Sequence, residues 1–155
     1  MRTLLPYAYP STLAVAVADM RGWLKQPATT DDAYLATLIL AASQAAEKLL
    51  NGSIITRSLT MAFDAENIVG DVLNLWLGPV TAVGSIKTYD FANIEATLSS
   101  ASYFVDLQGG RIALNAGFVW TSQAVRKRNA LIVSYSAGYA DAAHVPEAIK
   151  TALMQ

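Results

Sequence analysis

The sequence predicts an α+β fold, a small helical bundle (two N-terminal helices plus a C-terminal helix) with an inserted antiparallel β subdomain of about six strands. Three observations predict it. Apolar residues recur at helical spacing from Thr12 to Leu50, the period drops to two from Ile54 onward, and helix resumes at Pro146. The expected organisation is one domain over 1–155, with a helical part over 11–52, a β-rich insertion over 53–136 and the start of a C-terminal helix over 146–155.

Thr12 to Leu24 reads as the first helix, with Ser11 or Thr12 as its cap, because Leu13, Val17 and Met20 fall at i, i+4 and i+7 and Leu24 follows one turn on. Gly22 weakens its end, and residues 26–30 form a linker. The second helix runs from Asp31 to Leu50. Thr29 and Asp32 have capping-box spacing, and Asp31 and Asp32 sit where the helix dipole favours negative charge. Leu35, Leu38, Ile39, Ala42, Ala46 and Leu49 trace its apolar face, and Asn51-Gly52 supplies the stop. Ala41, Ala42, Ala45 and Ala46 leave a smooth surface that another helix can approach closely.

Leu59, Met61 and Phe63 alternate with Ser58, Thr60 and Ala62, as in a half-buried strand. Leu73, Leu75 and Leu77 alternate with Asn74 and Trp76, Gly78-Pro79 breaks that strand, and Val83 to Tyr89 resumes it. Tyr103–Asp106 and Arg111–Leu114 flank Gln108-Gly109-Gly110, a hairpin signal. Leu131 to Tyr135 is the last strand, and Pro146 suits the first turn of the closing helix.

A chain of 155 residues buries roughly 68–70% of the surface its unfolded form exposes and needs no disulfide or metal to fold. It has no cysteine, which excludes thiolate catalysis and cysteine-based zinc sites. A net charge of −1 lacks the basic excess of a dedicated nucleic-acid binder, although a local basic patch is compatible with it. Charged residues make up 15% and apolar ones 54%, against about 25% and 45–50% in ordinary domains. Either the surface is plain or part of it is buried against other subunits. The longest apolar run, around Leu38 to Ala42, is far short of the roughly 20 residues a bilayer span needs. The N-terminus, interrupted by Pro6, does not read as a signal peptide, so synthesis in the cytosol is expected.

Few residues suggest chemistry. His144 is the only histidine, three residues after Asp141, and reads as a surface loop residue. The pair Asp31 and Asp32 is explained by capping, and Asp64 with Glu66 by a turn; no spacing converges carboxylates on a cleft. Gly109-Gly110 lacks the spacing and lysine of a phosphate loop. Neither a catalytic residue, a metal site nor a cofactor is expected. Arg126-Lys127-Arg128 is the one basic cluster, either a solvated loop or a patch facing phosphates or an acidic partner. Trp23, Trp76 and Trp120 sit on separate elements and default to core. Trp76 points away from its leucine neighbours, towards either a covering helix or another subunit.

Taken in order, these segments resemble the phage head–tail connector (adaptor) proteins of the gp6-like class, in the larger members with a β-rich insertion. The helix with Asp31, Asp32, Ala41, Ala42 and Glu47 is similar to the family's early helix. Leu75-Trp76-Leu77-Gly78-Pro79-Val80-Thr81-Ala82-Val83 resembles its strand, Gly-Pro-Val turn and next strand. Tyr103–Asp106 with Gly110-Arg111-Ile112 resembles its hairpin, and Ser136-Ala137-Gly138-Tyr139 followed by residues 145–152 its closing motif. The resemblance covers residues 13–154.

It implies a non-enzymatic structural subunit of the virion neck, assembled in the host bacterial cytoplasm. Such subunits form a homo-oligomeric ring matching the portal's symmetry, which docks under the portal protein, extends the DNA channel without sequence-specific binding and receives a tail or stopper protein. Family members continue past the last helix start, so the resemblance implies that this helix is cut short at Gln155. On this reading Ala41, Ala45 and Trp76 are the candidates for subunit contacts, and Arg126, Lys127 and Arg128 for a surface facing the DNA channel or an acidic partner. Two alternatives stay open: another neck or tail component such as a tail terminator, and a small ligand-binding or hydrolase domain.

Overall fold

The computed structural model describes residues 2–121 and 124–155. Three helices and two sheets form in the order β1 (Arg2–Leu4), α1 (Val17–Leu24), α2 (Asp32–Leu50), β2 (Arg57–Phe63), β3 (Val72–Asn74), β4 (Val80–Tyr89), β5 (Glu95–Thr97), β6 (Tyr103–Asp106), β7 (Arg111–Leu114), β8 (Leu131–Ala137) and α3 (Glu147–Leu153). This is the predicted α+β class, with more strands than the expected six. The additions, β1 and β5, are three-residue strands at the two edges of one sheet, too short to show a period in the sequence.

The chain divides into two compact units. One comprises Ser58–Ala137 and the N-terminal residues through Tyr7; the other comprises Ala8–Arg57 and Gly138–Gln155. In the β-rich unit a five-stranded sheet has the order β1-β2-β8-β4-β5 and a three-stranded sheet the order β3-β7-β6. β4 and β8 pair antiparallel from Val80↔Ala137 to Thr88↔Leu131, with irregularities after Val80 and Val83. Alternation along β8 buries Leu131, Val133, Tyr135 and Ala137, which join Leu59, Met61 and Phe63 of β2 and Ile86 of β4 in one core. In the smaller sheet Leu73, Ile112 and Val105 face one another across the strands, and Leu73 and Ile112 enter the same core.

The predicted strand Leu73–Leu77 stops at Asn74. Leu77 adopts φ 56° ahead of a cis Gly78–Pro79 bond, and a left-handed residue cannot continue a strand. Leu75 and Leu77 still pack on the core, which is why the sequence alternates beyond the strand's end. Trp76 therefore sits in the bend, not on a strand.

The helical unit has its own core of Ala14, Val15, Met20, Leu35, Ile39, Ile54, Ile55, Val145 and Leu153. Here α1 begins at Val17, five residues later than Thr12, and neither Ser11 nor Thr12 caps it. Ala16 precedes it in extended conformation, without a side-chain cap bond. Leu13, Val17 and Met20 do share this core, so the helical spacing reflected a common destination, with Leu13 still ahead of the helix. The helix runs through Gly22 and ends at Lys25, whose φ is 55°. The capping box at α2 is also absent: Asp31 makes no side-chain cap bond, and Asp32 pairs with Arg21 at 3.2 Å. Asn51 closes α2 at φ 47°, and the Gly52 N–H donates to the Glu47 carbonyl.

Beyond α2, the Glu47 carboxylate accepts from the Ile54 N–H at 2.7 Å and from the Arg57 guanidinium at 2.6 Å, and Arg57 also lies over the Tyr9 ring. Gly138 runs alongside Ile55 at φ +111°, and across that approach the Thr56 N–H donates to the Tyr139 carbonyl and the Tyr139 N–H to the Ile54 carbonyl. A side chain at position 138 would collide with the Ile55 backbone, which explains the glycine in the Ser-Ala-Gly-Tyr segment.

Candidate functional site

The residues that leave the core unsatisfied lie first on α2. Its buried side is Leu35, Ile39, Ser43 and Glu47, with the Ser43 hydroxyl returned to the Ile39 carbonyl. Leu38 and Leu49, expected on that side, point outward and are 44% and 88% exposed. With Tyr34, Ala41 and Ala45, all exposed, they form a second apolar stripe at 34, 38, 41, 45 and 49. A helix apolar on two faces needs cover on both, and among the described residues only the side with Leu35 and Ile39 is buried. The stripe was visible in the sequence as spacing, but spacing does not say which of two apolar faces turns inward.

The stripe continues into a groove of about 510 Å³ between α2 and α3, walled by Ala42, Ala45, Ala46 and Leu49 on one side and Ala148 and Ala152 on the other. Its lining is almost wholly carbon. Among its described lining residues none carries a titratable side chain.

In the β-rich unit Trp76 is 37% exposed, with the Arg2 guanidinium 5.7 Å from its ring centroid. Its carbonyl accepts the Tyr135 hydroxyl at 2.6 Å, fixing the bend that presents the indole. Trp120, by contrast, is buried, with its indole N–H donated to the Gly70 carbonyl at 2.9 Å.

The three basic residues of the loop before β8 have different surroundings. Arg126 is half-buried: its guanidinium donates to the Asn129 carbonyl and the Asn93 side chain, and lies 4.1 Å from the Tyr89 ring centroid. Arg128 pairs with Asp64 at 2.6 Å while its side chain stays 74% exposed. Lys127 is exposed, and its carbonyl accepts from the Ala65 N–H. The Asn129 N–H is the largest of the groups that hold the Asp64 carboxyl well below the usual carboxylate range, and the Arg128 guanidinium adds to it. Asp64 is thus the post that anchors this loop. Residues 122 and 123, which precede it, lie outside the described residues.

Two further polar clusters brace turns. His144, exposed, contacts Asp141 at 2.8 Å, and that bond holds the Asp141 carboxyl low. Asp106 accepts from the Gly109 N–H and the Arg111 guanidinium and so closes the β6–β7 turn. Among the described residues no cluster of three His, Cys, Asp or Glu side chains is placed to hold a metal, and no helix is long and apolar enough to cross a membrane.

The class these features define is an α+β chain whose exposed surface includes an apolar stripe on α2 and the basic loop before β8. No protein-family model and no curated protein matches the sequence. Solved structures do. A chain from the neck of an empty gene transfer agent particle, computed with C6 symmetry, superposes with a TM-score of 0.76 at 25% identity, over 99% of this chain and 80% of that one. A chain from the neck of the native particle, computed with C12 symmetry, gives 0.75 at 25% identity over 99% and 79%. A chain from the virion of the native gene transfer agent particle shares the fold at 24% identity, with a TM-score of 0.74 over 99% and 80%.

Proposed function

We propose that this chain is a structural, non-enzymatic subunit of a phage-like head–tail neck, and that it works as a connector assembled into a homo-oligomeric ring. The observation that carries the reading is the likeness, over nearly the whole chain, to neck chains of particles computed with six- and twelve-fold symmetry. The sparse charge and the outward apolar stripe support it, because a ring subunit must bury surface against its neighbours. On this reading Ala41 and Ala45 of α2, together with Trp76, meet adjacent subunits. The ring docks beneath a portal, extends its DNA channel and receives a tail or stopper protein.

Arg126, Lys127 and Arg128 then face the channel or an acidic partner. Arg126 and the Arg128–Asp64 pair shape the loop, and Lys127 contributes a charge to passing phosphates without reading sequence. Lys127→Glu leaves the loop's internal bonds intact and should weaken DNA retention in a salt-dependent way. Unchanged retention would reduce the cluster to a loop brace.

Negative-stain imaging of the concentrated protein tests the main proposal. Closed rings with a central hole are expected, and binding to purified portal. Single particles even with portal present would sink it, and binding only to a tail tube would move the chain to a tail-terminator role.

A further inference from the structure

We propose that the tip of the β4–β5 hairpin is an apolar anchor that seats in the α2–α3 groove of a second copy of this chain, linking successive subunits. The inference rests on the ring reading above and names the contact within it. Turn positions are ordinarily taken by small polar residues, yet this turn carries Phe91 and Ile94, 70% and 65% exposed. It is also firmly braced. One Asp90 carboxylate oxygen accepts from the Ala92 and Ile94 N–H groups, each at 2.8 Å. Asn93 sits at φ 63°, and its side-chain oxygen accepts from Arg126 at 3.1 Å. An exposed aromatic on a turn fixed in advance loses little freedom on docking, as an interface anchor requires.

The groove has the complementary character. Alanines alternate along its walls with Ile149 and Leu153, which lets a ring lie close, and Leu49 and Leu50, 88% and 57% exposed, border it. The adjoining charges are opposite: Asp90 precedes Phe91, and exposed Lys48 precedes Leu49. Burying Phe91, Ile94, Leu49 and Leu50 together removes on the order of 500 Å² of apolar surface from water, about a third of a standard interface of roughly 1,600 Å². That suits the dry centre of a contact whose rim is supplied by neighbouring polar residues. Because tip and groove are different patches, the contact is head-to-tail. It repeats from copy to copy and can close a ring, whereas a self-complementary patch stops at a dimer.

The test uses the full chain and two variants, Phe91→Asp and Leu49→Glu. Both positions face solvent, so circular dichroism should match the parent. Each variant alone should lose rings and run at the 16.5 kDa of one chain. Mixed in equal amounts they should give particles of twice that mass and nothing larger, because one variant keeps an intact groove and the other an intact tip. Rings from either variant at the parent's concentration would overturn the contact and leave the ring reading standing. A mixture that stays single would show that tip and groove are not partners. If the parent chain itself stays single even with portal, the ring reading fails, and this inference with it.

Discussion

The buried Glu47–Arg57 pair gives a prediction that can be worked from distances. Both side chains are below 10% exposed, and each Glu47 oxygen has a single short bond, to the Ile54 N–H and to the Arg57 guanidinium. Glu47→Ala would remove both acceptors at once and leave a guanidinium charge and a backbone N–H with less compensation. Breaking a buried pair from one side costs about 3–5 kcal/mol. The Arg57 contact with the Tyr9 ring softens the loss, so we expect the lower end, about 3 kcal/mol, or a fall in Tm of roughly 6–12 °C for a chain of this length. Glu47→Gln retains an oxygen for the Ile54 N–H but sets an amide N–H against Arg57, so about 2 kcal/mol should be lost. All three helices lie in the unit that contains the pair, so helical circular dichroism during urea or thermal unfolding reads that unit directly. If Glu47→Ala cost under about 1 kcal/mol, the size of an exposed pair, the pair would not be what ties α2 to the following segment.

Gly138→Ala should be more damaging. The new Cβ would lie 2.5 Å from the Ile55 carbonyl carbon, at a φ of +111° that side chains avoid. A loss of about 3 kcal/mol or more is expected from denaturant midpoints, and wild-type stability would show that the backbone can move aside there. Asp64 sets an acid dependence. Its folded carboxyl titrates below its unfolded value of about 3.9, so its contribution is complete above that value. The contribution is lost as pH falls from there through the lower folded value, where the unfolded chain binds more protons. Stability of the parent measured at descending pH should therefore drop more steeply than that of Asp64→Asn; parallel curves would refute the assignment.

The sequence by itself determined the fold class, the change from helical to strand period near Ile54, the Gln108–Gly110 turn between β6 and β7, and the start of α3 just after Pro146. These follow from local rules: period, turn chemistry and proline geometry act within a few residues. It failed where two tertiary destinations look alike in one dimension. Leu38 and Leu49 match the α2 core face in spacing but turn to solvent, because that face is filled by Leu35, Ile39, Ser43 and the Glu47–Arg57 pair. The first helix starts later than its apolar spacing predicts because Leu13 shares its core without sharing its helix. Ser11, Thr12 and Thr29 have the chemistry of caps, but capping needs a geometry that composition cannot guarantee. Only the tertiary structure could assign Asp64 to Arg128 across 64 positions, and Arg126 to Asn93 across 33. Only it could lift Phe91 and Ile94 onto a braced tip, because exposure is a property of what the rest of the chain leaves uncovered.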